Sequence, residues 1–466
     1  MKKMFMTAAI LAVSGGAYAA GMSEAARYEA PFNLQRVNAS QLRAMAPAEN
    51  IVIKPERVPV SGRAQNMGLS TGEQQRGGSK KIKFDFVSKA ERRDYIAQAS
   101  LWVPEGSLNT GTIDFKKGPF TKPWYLPEEL VTCKYIPMAA AYEEGKPNGA
   151  TPKFKCEGAN GRKLKVKYGA EDGEVYSEVA ATWIMTAIGA YADKMYPVRL
   201  NCPDCPSDPF KSEKDGGSWL NGAKVAIEDK TGERIEAQAN SGIGFDEYYR
   251  IEDRVGAEAL VGLAHFLKNG DNKAANQAIG CLEQDSVSDP ATGKAKCLKP
   301  IVFLQDTGMA FGAPGVISFA KGKMNYDAWA AEPVWADAGT CRLDLETHLT
   351  CSSLPKVDFS GRDLHQIGEK ARQMLVRRLS LLSREQLVDI FTAARAPERA
   401  PRHSAGEWAD LFLSKVEKLR NPAGGENSGK FSCPYDVVPK NSAVLDGFDG
   451  DDSFRYYPDG TLYVPK

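Results

Sequence analysis

Between residues 120 and 170 apolar and polar positions alternate with the period of two that a half-buried strand requires. The stretches are ELVTCKYI (129–136), TPKFKCEG (151–158) and RKLKVKYG (162–169). The last two flank Ala159-Asn160-Gly161 and predict a hairpin, with Lys163, Lys165 and Lys167 on one face. The spacing then becomes helical. SEVAATWIMTAIGAYADKM (177–195) sets Val179, Trp183 and Ala187 along one stripe, and MYPVRL (195–200) returns to a strand signal. DRVGAEALVGLAHFLKNG (253–270) predicts a second helix. From 360 onward the chain reads as helical, with capping boxes at Ser383–Gln386 and Ser404–Glu407 ahead of apolar-periodic stretches. Strands early and helices late predict an α+β fold.

The ends carry different patterns. Residues 1–19 have a basic start, an apolar middle and a small-x-small end, which predicts a secretory signal cleaved between Ala19 and Ala20. Residues 20–80 lack a sustained period and read as an arm or linker. We expect a strand-rich region over 81–200, a helical region over 201–420 and an irregular tail over 421–466. DGFDGDDS (446–453) lacks the full calcium-loop pattern and reads as an acidic turn. The 466 residues exceed what one core usually supports, so two lobes are expected.

Composition narrows the partners. Without the leader, 58 basic side chains face 59 acidic ones, a formal charge of −1. A near-neutral chain gives no electrostatic case for nucleic acid. No stretch reaches the roughly 20 apolar residues that a bilayer needs, and the first cysteine is Cys133, far from any lipid-anchoring position. Nine cysteines in an exported chain predict disulfides. Short separations favour Cys281–Cys297 and Cys341–Cys351, with Cys133–Cys156 and Cys202–Cys205 also plausible. Cys433 is then left over, or one pairing is wrong.

The chemistry centres on FLQDTGMAFG (303–312), an apolar run ending in Asp306-Thr307-Gly308. An aspartic hydrolase would need a second Asp-Thr-Gly or Asp-Ser-Gly loop, and the chain has none. Upstream, Asp271-Asn-Lys273-Ala-Ala-Asn276 follows an apolar helix and groups a carboxylate, an ammonium and a carboxamide. Those are the groups phosphoryl transfer uses to orient a hydroxyl and hold a cation. Lys167 ends the alternating strand and Glu178 opens the following helix. His265 sits inside an apolar helix and reads as a packed core histidine.

In that order the elements resemble a divergent protein-kinase-like fold. The resemblance is nearer to HipA-type and secretory-pathway (casein- and xylose-kinase-like) atypical kinases than to eukaryotic signalling kinases. Gly149-Ala-Thr-Pro-Lys153-Phe154 resembles the phosphate-binding Gly-Ala-Gln-Pro-Lys stretch of HipA-type proteins, and EVYSEVAATWIMTAIGAYADKMYPVRLNCPDC (174–205) resembles a stretch of exported bacterial proteins of this kind. The resemblance implies a bilobal fold, strand-rich at the N-terminal end and helical at the C-terminal end. It implies ATP and Mg²⁺ or Mn²⁺ as cofactors. Lys167 would contact the α- and β-phosphates and Glu178 would pair with it. Asp271 would be the catalytic carboxylate and Lys273 would meet the transferring phosphate. Asn276 and Asp306 would hold the metal, and Gly149 to Lys153 would cover the phosphates.

The chain departs from signalling kinases in having Gly270 before Asp271 and Thr307 after Asp306. The implied function is an exported phosphotransferase acting on a protein or glycan hydroxyl. ATP is scarce outside the cytoplasm, so an exported non-catalytic binding module is the alternative, and an aspartic hydrolase stands third.

Overall fold

The structure is a computed structural model. It describes residues 84–439 apart from 85–86, 143–144, 146, 148, 150, 160, 170–172, 212–219, 236–241, 313–322, 345–357, 359–360 and 423–430, together with 455–456 and 462–463. The expected leader, the arm, Cys351 and the acidic turn at 446–453 lie outside the described residues.

Five strands close into a barrel in the order β1-β2-β3-β5-β4. They are β1 (Leu130–Tyr135), β2 (Lys153–Gly158), β3 (Lys163–Lys167), β4 (Lys194–Asn201) and β5 (Ala223–Asp229). All neighbours are antiparallel except β1 and β4, whose parallel pairing completes the ring. The alternation seen in the sequence sets the two faces. Register places Phe154, Val166 and Ile227 side by side, all buried. Burying each such side chain contributes roughly 1.5–3 kcal/mol relative to leaving it in water. The opposite face carries Lys153, Lys167 and Ala226 in one row and Lys155, Lys165 and Glu228 in the next.

Helix α1 (Lys89–Gln98) begins at a Ser88–Glu91 capping box. Helix α2 (Glu174–Ala187) starts after Gly173, which sits at φ 76°, and packs on β4 and β5. It is buried on almost every side, as its apolar composition requires. The indole N–H of Trp183 donates to Met195 O at 2.8 Å, fixing the helix against β4.

Helix α3 (Arg254–Leu267) is capped by Asp253 and ends at Lys268, whose left-handed φ of 56° turns the chain out of the helix. His265 is 1% exposed, with Nδ1 2.9 Å from Val261 O and Nε2 3.2 Å from His365 Nδ1, a core histidine as the sequence suggested. Strands β6 (Glu233–Arg234) and β7 (Gln277–Cys281) pair antiparallel, and the short hairpin β8 (Ser286–Ser288) and β9 (Ala295–Cys297) precedes β10 (Pro300–Leu304). The sheet order is β10-β7-β6.

Helices α4 (Glu369–Leu379), α5 (Arg384–Ala393) and α6 (Ala405–Arg420) follow, the last two opened by the expected capping boxes. Arginines fasten this late part of the chain to the barrel and to the segments beside α2. Arg395 donates to Val198 O (2.9 Å) and Val225 O (3.2 Å), and Arg378 donates to Ile188 O and Val103 O. The result is a mixed helix-and-strand fold in which, among the described residues, a large buried core is accompanied by a small separate cluster of Ala278, Ile301 and Phe303.

Among the described residues four disulfides form: Cys133–Cys156, Cys202–Cys205, Cys281–Cys297 and Cys341–Cys433. The last corrects the expected Cys341–Cys351 pairing. Folding brings Cys433 to within 5.5 Å of Cys341 between Cα atoms across 92 residues. Among the described residues no helix is long and apolar enough to cross a membrane.

Candidate functional site

Three separate parts of the chain meet beside the lysine face of the barrel. Strand β3 supplies Lys167 at its last position, and α2 supplies Glu174 and Glu178 one turn apart. Spacing of four residues puts both carboxylates on one side of the helix. The turn after β10 supplies Asp306.

Lys167 Nζ donates to Glu178 Oε1, and Glu228 Oε2 lies 3.3 Å away. The two glutamates therefore hold the ammonium from α2 and from β5. Lys167, Glu178 and Glu228 are all buried. Burial opposes the charge on Lys167, but Glu178 and Glu228 outweigh it and hold the lysine well above its usual range. Burial pushes Glu178 up to about 8 despite Lys167. Glu228 behaves oppositely. Lys165 at 2.6 Å and Lys230 at 2.8 Å join Lys167 around it and keep it well below the ordinary carboxylate range despite its burial. Lys230 also reaches the buried Asp193 at 2.6 Å.

Asp306 accepts the Gly308 N–H at 3.1 Å and, among the described residues, makes no ion pair. Burial raises its pKa, but the nearby Lys167 and the Gly308 bond prevail and keep it below the ordinary value. Its oxygens lie close to the α2 glutamates: ligand atoms of Glu174, Glu178 and Asp306 all fall within 4.8 Å of one another. Opposite oxygens of one Mg²⁺ stand about 4.2 Å apart and those of a larger divalent ion such as Ca²⁺ up to about 5 Å, and carboxylates are the hard donors such ions prefer. Among the described residues Glu178 Oε2 is buried with no hydrogen-bond partner. The donor set fits a divalent cation.

The Asp271–Asn276 segment is anchored from within and from below. Asn276 Nδ2 donates to Asp271 O at 2.9 Å, Gln277 Nε2 donates to Asn272 O at 3.1 Å, and Asn269 Nδ2 donates to Asn272 Oδ1 at 3.1 Å. Gln305 N donates to Asn276 O at 2.8 Å, and Phe311 N donates to Leu267 O at 2.8 Å. Those two backbone bonds set the Asn276 turn beside the Asp306 turn. Lys273 Nζ lies 3.1 Å from Asp271 Oδ2, the lysine being 57% exposed and the aspartate 31%. Burial opposes its charge, yet Asp271, Asp306 and Glu174 together hold Lys273 above the usual lysine range.

Lys153 sits opposite Lys167 in the β2–β3 register. Burial and then the neighbouring Lys165 and Lys167 hold it below the usual lysine range, partly offset by Glu174 and Asp306. Gly149, at φ 86°, lies against it: a Cβ there would stand 3.1 Å from Lys153 Nζ.

The structure thus brings Lys167, Glu178 and Asp306 together and sets the Asn276 turn alongside. Sequence reasoning passed over Glu174, Glu228 and Lys323. The i, i+4 spacing of Glu174 and Glu178 was the available signal for the first. Lys323 Nζ donates to Glu174 Oε2 at 2.8 Å. Gly308 has a steric role. Its φ is not left-handed, but a Cβ there would stand 2.0 Å from Glu174 Cγ. Only glycine lets the Asp306 turn close on α2.

No protein-family model matches the chain, and no curated protein matches it by sequence. Among solved structures, the Helicobacter pylori proinflammatory kinase CtkA aligns over 63% of this chain and 95% of its own, with 13% identity and a TM-score of 0.33. A likeness at that level leaves the geometry of the site to carry any functional reading.

Proposed function

We propose that this chain is an exported, metal-dependent phosphotransferase with a kinase-like fold, using ATP to phosphorylate a hydroxyl on a protein or glycan. One observation carries the reading: a buried strand lysine paired to a helix glutamate, with the Asp306 carboxylate beside them and free of any ion pair among the described residues. Phosphoryl transfer is mostly positioning and charge stabilisation, and this constellation supplies both.

In this reading Lys167 contacts the α- and β-phosphates, and Gly149 and Lys153 cover them. Lys153 is suited to that task, since it makes no ion pair among the described residues. Asp306 and Asn276 hold the divalent cation, which when bound neutralises phosphate charge. Asp271, partly open to solvent, accepts the proton of the acceptor hydroxyl, and Lys273 meets the phosphoryl group as it transfers. The four disulfides fit an oxidising compartment.

A second reading keeps the fold and drops the chemistry. Lys167 is already engaged by two carboxylates and is 2% exposed, which favours an exported binding module. An aspartic hydrolase draws no support. The carboxylates near Asp306 are Glu174 and Glu178, each held by a lysine, whereas a hydrolytic dyad shares a proton between facing carboxyls.

Incubation of the purified protein with labelled ATP, Mg²⁺ or Mn²⁺ and an envelope extract separates these readings. Label in a protein band or a glycan, abolished in Asp271→Ala, is the expected result. No transfer with either metal favours the binding module.

A further inference from the structure

Glu174 opens α2 one turn ahead of Glu178, and the Lys167–Glu178 pairing does not account for it. Its Oε2 accepts from Lys323 Nζ at 2.8 Å, across 149 residues of sequence. The side chains are 11% and 3% exposed. A buried ion pair costs the desolvation of both groups, and apolar residues of the same volume often serve stability as well. Its presence at this point asks for a second use of one partner.

The surroundings supply that use. Glu174, Glu178 and Asp306 converge within 4.8 Å, and among the described residues Glu178 Oε2 is buried without a hydrogen-bond partner. Lys167 pairs with Glu178 and Lys323 with Glu174, which leaves Asp306 without an ion pair among the described residues. A divalent cation between the three carboxylates compensates two charges and satisfies oxygens from all three. The position of Glu174 is fixed by Gly308, which packs so closely on its Cγ that no side chain fits between. Lys323 is also placed firmly. Met324 N donates to Ala310 O at 3.1 Å and Asn325 N donates to Phe311 O at 2.7 Å, tying its neighbours to the chain that follows Asp306.

We propose that Glu174 is a ligand of the divalent cation, shared with Glu178 and Asp306, and that Lys323 is an internal counter-ion which the cation displaces from Glu174. The inference rests on the metal-dependent reading above but concerns the cation alone. Cation binding then releases the lysine from Glu174.

Titration of Mn²⁺ alone into the metal-stripped full chain, followed by calorimetry and by the electron paramagnetic resonance signal of free Mn²⁺, tests this without nucleotide or turnover. Glu174→Gln is expected to weaken Mn²⁺ binding by about tenfold or more, and Lys323→Met to tighten it by about tenfold. Lys323→Arg keeps the charge and is expected to bind like the wild type. Unchanged or weaker affinity in a folded Lys323→Met overturns the counter-ion role, and unchanged affinity in Glu174→Gln overturns the ligand assignment. If Lys323→Met does not fold, Glu174→Gln and Lys323→Arg carry the test. A separate ATP titration keeps the two claims distinct. Absent ATP binding with the expected Mn²⁺ pattern removes the nucleotide reading and leaves this one standing, and ATP binding with indifferent Mn²⁺ affinities does the reverse.

Discussion

The hydroxyl of Ser177 donates to the carbonyl oxygen of Gly308, joining the first turn of α2 to the turn that carries Asp306. Both groups are buried, so the bond is made away from water. It fixes the distance between a helix that carries two glutamates and a loop that carries the aspartate facing them. The glycine is what allows that closeness.

Gly308→Ala is therefore expected to destabilise the fold by about 1–3 kcal/mol, since a methyl group would have to displace Glu174. Chemical denaturation reads the loss. Ser177→Ala should cost about 1 kcal/mol, the usual net worth of a hydrogen bond. A Gly308→Ala protein as stable as the wild type would contradict the close approach.

Lys167→Met should be among the more damaging single substitutions, at about 3–5 kcal/mol, because it leaves two buried carboxylates without their shared ammonium. Glu178→Gln should cost clearly less, since Glu228 remains 3.3 Å from Lys167. Equal losses in the two variants, read from denaturation midpoints, would argue against the two-sided hold.

Glu258 predicts a pH effect outside the site. It accepts Gly368 N at 3.1 Å and Val438 N at 3.0 Å, tying the start of α4 and the chain near 438 to α3. Burial lifts its carboxyl to about 7 against those bonds and the charges of Arg254 and Arg362. A carboxyl raised in the folded state holds a proton that the unfolded chain has released. Its contribution is therefore full below the usual carboxylate range and declines as pH rises toward about 7. Glu258→Gln should flatten stability between about pH 4.5 and 7, measured as melting temperature against pH. An unaltered profile would contradict the shift.

The Cys341–Cys433 bond closes a long loop, so Cys433→Ala should cost about 4–5 kcal/mol on a chain-entropy estimate. Peptide mapping without reduction should find Cys433 linked to Cys341. A Cys341–Cys351 peptide would contradict this connectivity.

Local pattern made several elements readable before any coordinates. Alternation in KFKCEG and KLKVK gave the β2–β3 hairpin, and the two serine capping boxes opened α5 and α6 as expected. Three disulfides with short separations were readable for the same reason. The Cys341–Cys433 bond was not, since it depends on how α3, α4 and the chain near 433 pack together. AKVAIED, which forms β5, was passed over. Glu228 gains meaning only when the closed barrel sets it across from Lys165. Lys323 carries no motif at all, and its contact with Glu174 exists only in three dimensions. The motif residues were visible one by one, but the charges that restrain them lie on elements far away in sequence.

The central claim is that Lys167, Glu178 and Asp306 frame a nucleotide site, and thermal unfolding with and without ATP·Mg²⁺ or ATP·Mn²⁺ tests it most directly. Saturating nucleotide and metal should raise the melting temperature of the wild type by several degrees. The rise should disappear in both Lys167→Ala and Asp306→Ala, each compared with its own ligand-free state. An unchanged melting temperature in the wild type with either metal would contradict the claim.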